Sequence, residues 1–109
     1  MLDLEELWLG RVEDFLAGKE VLRPADLTNK KTYQADHNAT PIADIMASFR
    51  SARMELVQQL ETCDESAVLR PALHPRLNTE MRVLDLVFFT AEHDDHHLAE
   101  ITTLIRQLR

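Results

Sequence analysis

The chain has 109 residues, enough for a single domain spanning 1–109 with one modest core. Hydrophobic residues at 45% and charged residues at 28% exclude a disordered chain, and a formal charge of −7 argues against a nucleic-acid partner. No apolar run approaches membrane-spanning length, no basic apolar leader opens the chain, and the lone Cys63 excludes a disulfide framework and makes a reducing cytoplasm the simplest setting.

In chain order, Leu2 to Leu16 reads as a helix. Leu4, Trp8, Val12 and Phe15 recur every three or four residues, acidic residues fill the other positions, and Gly18 is a plausible stop. The helix starts without a leader or a clear cap, like the continuation of a helix whose beginning is absent. Residues 19 to 40 show little periodicity. Pro24, Asn29, Asn38 and Pro41 break any long helix, and only a short turn is expected near Ala25 to Leu27. A connection of this length is often functional or crosses the end of a bundle, and it carries His37 between Asp36 and Asn38. A second helix is expected from Pro41 to Thr62, with Thr40 as its cap. Its apolar face includes Ile42, Ile45, Met46, Phe49, Leu56, Val57 and Leu60, and Arg50, Arg53 and Glu55 read as solvated. Residues 63 to 80 connect again, with His74 between Pro71 and Pro75 and with Asn78 and Thr79 able to cap the next helix.

The last stretch, Met81 to Leu108, organises the chain. Val83, Leu86, Val87, Ile101, Leu104, Ile105 and Leu108 fall on one helical stripe, and three of the five histidines lie in the run Glu92-His93-Asp94-Asp95-His96-His97. At about 100° per residue, His93 lies at the edge of the apolar arc, His97 inside it and His96 outside it. Asp94 also falls within the arc, an unusual place for a carboxylate. Two inward imidazoles one turn apart can hold one divalent ion such as zinc or nickel, with Asp94 as an acceptor that orients them. The competing reading is a pair of half-buried histidines with ordinary hydrogen-bond partners. Cys63 has no cationic neighbour and reads as inert. Ser48, Ser51 and Ser66 are the only serines and none sits in a nucleophile-elbow pattern, so a Ser-His-Asp hydrolase has no support.

The segments Leu2 to Trp8, Ala35-Asp36-His37-Asn38 and, above all, Ala91-Glu92-His93-Asp94-Asp95-His96-His97-Leu98-Ala99-Glu100-Ile101 resemble the DinB-like superfamily. The resemblance covers nearly the whole chain. It implies an all-α fold, a four-helix up-and-down-type bundle, with a homodimer as the expected assembly. It also implies a three-histidine metal site, of which two members come from an HxxxH in the last helix; by position these are His93 and His97. The family's first helix, and a histidine just ahead of the segment that starts here at Leu2, have no counterpart, so three long helices stand for the second, third and fourth. The third ligand is then absent, or supplied by His37 or by a partner chain. The function implied is a divalent-metal-dependent enzyme acting on a small-molecule substrate, a thiol-dependent transferase or a hydrolase. The alternative is a non-catalytic oligomerisation or stress-associated module with a vestigial site.

Overall fold

A computed structural model describes residues 1–109. The fold is all-α, with three long helices and two short ones: α1 (Leu2–Leu16), α2 (Lys30–Ala35), α3 (Ile42–Glu61), α4 (Glu65–Leu69) and α5 (Val83–Gln107). A two-residue antiparallel pair, β1 (Ala72–Leu73) with β2 (Glu80–Met81), leads into α5, and Val21 bridges to Leu73. No helix is long and apolar enough to cross a membrane.

The long helices lie where the apolar periodicity puts them, but their ends are set by other chemistry than expected. Thr40 makes no cap bond to α3; the Pro41 carbonyl accepts instead from the Asp44 and Ile45 amides. At the start of α5 the Asp85 carboxylate accepts from the Arg82 amide at 2.9 Å and from its guanidinium. Asn78 does not cap the helix but turns the hairpin at φ 51°. The connection from 19 to 40 is more ordered than its lack of periodicity suggests. It holds α2 and a 3-10 turn at His37–Ala39, each entered through a left-handed residue, Asn29 and Asp36. α4 is likewise unreadable from periodicity, and is started by Asp64 Oδ1 accepting from the Ala67 amide at 2.7 Å. Gly18 does stop α1, at φ 72°.

The core is Trp8, Val12, Phe15, Leu22, Leu56, Ala72, Val83 and Leu86. It sits at one end of the molecule, where α1, the hairpin and the first turns of α5 converge. Leu104, expected in the core stripe, is 57% exposed, and Ile101, Ile105 and Leu108 share its fate. The radius of gyration is 15.5 Å and the longest dimension 48 Å, against about 13 Å expected for a compact chain of this length. The excess comes from α5, about 37 Å long at 1.5 Å per residue, whose second half extends past the core.

Two polar clusters fasten the helices. In the first, Asp14 is almost wholly buried and accepts from the Arg23 amide at 2.9 Å and from its guanidinium at 3.0 and 3.1 Å, with Lys19 at 3.4 Å. Arg23 crosses directly over Gly10, where a Cβ would stand 2.3 Å from Nη1. Gly10 is therefore in mid-helix despite its poor propensity because any side chain there would dislodge this clamp. In the second, Arg53 turns inward instead of standing on a solvated face. It donates to Glu5 at 2.6 and 2.9 Å and to Asp94 at 2.6 and 3.2 Å, tying α1, α3 and α5 together. Its guanidinium also lies 5.0 Å over the Phe49 ring.

Both clusters make measurable predictions. The Arg23 hydrogen bonds hold the Asp14 carboxyl down at about 2 against the opposing effect of burial. A carboxyl depressed in the folded state stabilises above its unfolded pKa, and that contribution is lost as pH falls through the folded value. The Asp14 contribution is therefore worth about 2 kcal/mol at neutral pH and disappears between roughly pH 4 and 2. Asp14→Asn should flatten the pH dependence of urea unfolding across that window; an unchanged slope refutes the clamp. Arg53→Met leaves Glu5, 2% exposed, and Asp94 facing each other without a cation. It should cost about 3–5 kcal/mol in denaturant unfolding, and a loss below about 1 kcal/mol would make the cluster a surface pair.

Candidate metal centre

α5 carries His93 and His97 one turn apart on the face turned to α1 and α3, so their imidazoles converge. The two Nε2 atoms are 3.2 Å apart, with ring centroids separated by 4.5 Å. Trp8 meets His93 edge-on at 5.9 Å and closes one side. His93 Nδ1 is buried with no hydrogen-bond partner. Burial pushes the His93 imidazolium pKa down and the neighbouring His97 adds to the shift, which favours the neutral ring that a metal ligand needs. As expected, His96 stands outside, with two thirds of its side chain exposed and Nε2 at 3.2 Å from Glu100.

Asp94, expected to orient the imidazoles, is engaged elsewhere. Both its oxygens are taken by Arg53, and it bonds to neither ring. The helical angle places Asp94 correctly on the inner face; it carries no sign that a guanidinium from α3 claims the carboxylate. The acidic group beside the rings is Glu100, with Oε2 at 3.6 Å from His97 Nδ1. Its i+3 spacing from His97 is the available signal for it.

His37 comes back to this end of the bundle. It shares with His97 the lining of a groove of ≈ 940 Å³ between α3, α5 and the first turn of α1. Its Nε2 is 2.8 Å from Asp3 Oδ2, which also accepts from Thr32 at 2.8 Å. Burial pushes the Asp3 carboxyl up, but these two bonds and the His37 and Lys31 charges outweigh it and hold it below its ordinary value. His74 serves the hairpin, its Nδ1 accepting from the Arg76 and Leu77 amides at 3.2 and 3.1 Å. Burial pushes the Cys63 thiol up, in keeping with an unreactive residue.

The donor set fits a divalent ion in part. Two metal–nitrogen bonds of about 2.0–2.1 Å at a tetrahedral angle require nitrogens about 3.3 Å apart, close to the 3.2 Å found here. No third donor joins them: nowhere in the chain do three or more His, Cys, Asp or Glu side chains gather as a metal-ligand group.

No curated protein and no solved structure matches this chain. A family model does, that of the DinB superfamily, over residues 1–101. That span takes in α1, α3, α5 as far as Ile101, and both histidines of the convergent pair, and the chain belongs to the DinB superfamily.

Proposed function

We propose that this chain is a divalent-metal-binding member of its superfamily, with His93 and His97 as two ligands of a zinc or nickel ion. The observation that carries the reading is the pair of Nε2 atoms 3.2 Å apart on a half-buried face, one ring with an unpartnered Nδ1. A bound ion at such a site lowers the pKa of a coordinated water or thiol, the activation that a thiol-dependent transferase or a hydrolase uses. The protein's own part is to hold both rings convergent with burial favouring the neutral His93, to keep water from one side with Trp8, and to hold the Asp94 carboxylate away from the rings in the Arg53 pair. A small-molecule substrate would enter by the groove that His37, Asp3 and His97 line. Two imidazoles alone bind weakly, since catalytic zinc has three protein ligands; a third donor from His37 or from a second chain would complete the shell.

The test is titration of the apo protein with zinc and with nickel, following the imidazole resonances and the bound metal. The expected outcome is one ion per chain, with His93→Ala or His97→Ala weakening binding by at least about tenfold, the loss usual for a ligand or its support. Binding that survives loss of both histidines overturns the assignment.

A second reading, a helical oligomerisation module, is favoured by the exposed apolar faces of α3 and α5. Ile42 is 70% exposed and Met46 59%, and Leu98 and Ile101 line the same groove from α5. Apolar surface of that kind is normally covered by a partner. A two-fold homodimer is the commonest solution, and light scattering at micromolar concentration should find a dimer. A stable monomer there sinks this reading and leaves the metal reading intact.

A further inference from the structure

A separate pocket, of ≈ 340 Å³, lies between α1, the Pro24–Leu27 segment, the hairpin loop and α5. Its apolar wall includes Leu4, Leu7, Trp8 and Phe89. Every charged or titratable side chain that lines it is basic: Arg11, His74, Arg76 and His93. In a chain of formal charge −7, a pocket without a single carboxylate is a departure from the composition around it.

Arg11 is the decisive residue. It is 4% exposed, and arginine is almost never that buried without a partner anion. Its Nε donates to the Arg23 carbonyl at 3.0 Å, but neither Nη group makes a hydrogen bond within the protein and no carboxylate forms an ion pair with it. The nearest candidate, Asp14, is consumed by Arg23 and Lys19. Burial pushes the Arg11 pKa down, and Arg76 pushes it the same way while Asp14 opposes them. The His74 pKa is lowered too, by burial first and then by Arg11 and Arg76. Because His74 Nδ1 accepts two amide hydrogens, its proton sits on Nε2, another donor without a protein acceptor.

We propose that this pocket binds a small organic oxyanion, a carboxylate or a phosphate on an apolar body. The Nη fork of Arg11 takes the anion, as guanidinium geometry favours, with His74 Nε2 and Arg76 beside it. The apolar body lies against Trp8 and under Leu27 and Phe89, which are 70% and 53% exposed without it. The volume lies at the small end of the range for small-molecule sites, about 300–1,000 Å³. This site does not rest on metal binding by His93 and His97, and it holds whether or not that reading does.

Trp8 is the only tryptophan, so its fluorescence reports directly on occupancy. The full-length protein, freed of metal with chelator, is titrated with phenylacetate, phenyl phosphate, inorganic phosphate and the neutral 2-phenylethanol. Saturable quenching by phenylacetate or phenyl phosphate, with 2-phenylethanol at least about tenfold weaker, is the expected result. Saturation by only one of the two anions identifies the headgroup as carboxylate or phosphate. Inorganic phosphate binding as tightly as phenyl phosphate would overturn the apolar part of the site. Arg11→Met should weaken the anion by at least about tenfold, and Arg11→Lys, which keeps the charge and loses the fork, by less. If Arg11→Met fails to fold, the exposed Arg76→Gln and the conservative Arg11→Lys carry the test, and unchanged affinity in both overturns the proposal. Absence of saturation by either anion, or equal binding of 2-phenylethanol, also overturns it.

Discussion

The molecule depends on Arg53. α1 packs along α3 and more lightly on α5, and α3 and α5 meet closely at few points. One guanidinium, hydrogen-bonded to Glu5 on α1 and Asp94 on α5, closes the triangle. Its planar fork presents donors on two edges at once, which a lysine ammonium does not. Glu5 is buried to 2% exposure, so the cluster is not a surface decoration: removing Arg53 strands both carboxylates in a medium that penalises lone charge. Those two carboxylates against one cation also leave a local excess of one negative charge a single residue from His93.

The same cluster separates the legible part of the sequence from the rest. Apolar recurrence locates all three long helices to within a residue or two, because burial of Trp8, Val12, Leu56 and Leu86 dominates their placement. The inward facing of His93 and His97 and the outward facing of His96 follow from the helical angle alone. Arg53, by contrast, reads as solvated because its neighbours on α3, Arg50 and Glu55, do. A charge three helices can share looks the same in one dimension as a charge that none of them needs. Asp94 on an apolar arc is the visible half of that pair, and its partner lies 41 residues away. The short elements α2 and α4 depend on single side-chain and left-handed-backbone contacts, which leave no periodic trace. Periodicity overreaches at Leu104: a stripe continuous in sequence is buried only as far as other elements extend, and α1 stops short of it.

Basic and acidic side chains are sorted within this small fold. The acidic residues of α1 that face inward are each matched: Glu5 by Arg53, Asp14 by Arg23, Asp3 by His37. Arg11, on the same helix, is the exception. Arg23 supplies both the guanidinium that claims Asp14 and the carbonyl that holds Arg11 Nε. One residue thus removes the natural counterion and fixes the orphaned cation in place. Gly10 underneath Arg23 is what makes room for that arrangement.

The one-ended core means that α5 is a single helix with two thermodynamic characters. Its first half is held by Val83, Leu86 and Thr90, which are buried; past His97 no residue is. The last turns have their backbone bonds, the Thr102 and Thr103 hydroxyls donating to the Leu98 and Ala99 carbonyls, and the His96–Glu100 pair, and a stretch of about ten residues is marginal as a free helix in water. Opening there need not wait for global unfolding, because no side chain past His97 is fully buried and Leu98, Ile101, Leu104 and Ile105 are already 46–57% exposed. His97 stands at the boundary between the two regimes and His93 inside the firmer one. Cover over the far half, were a ligand or another chain to supply it, would act on the spacing of the two rings without touching either, by steadying the helix at His97.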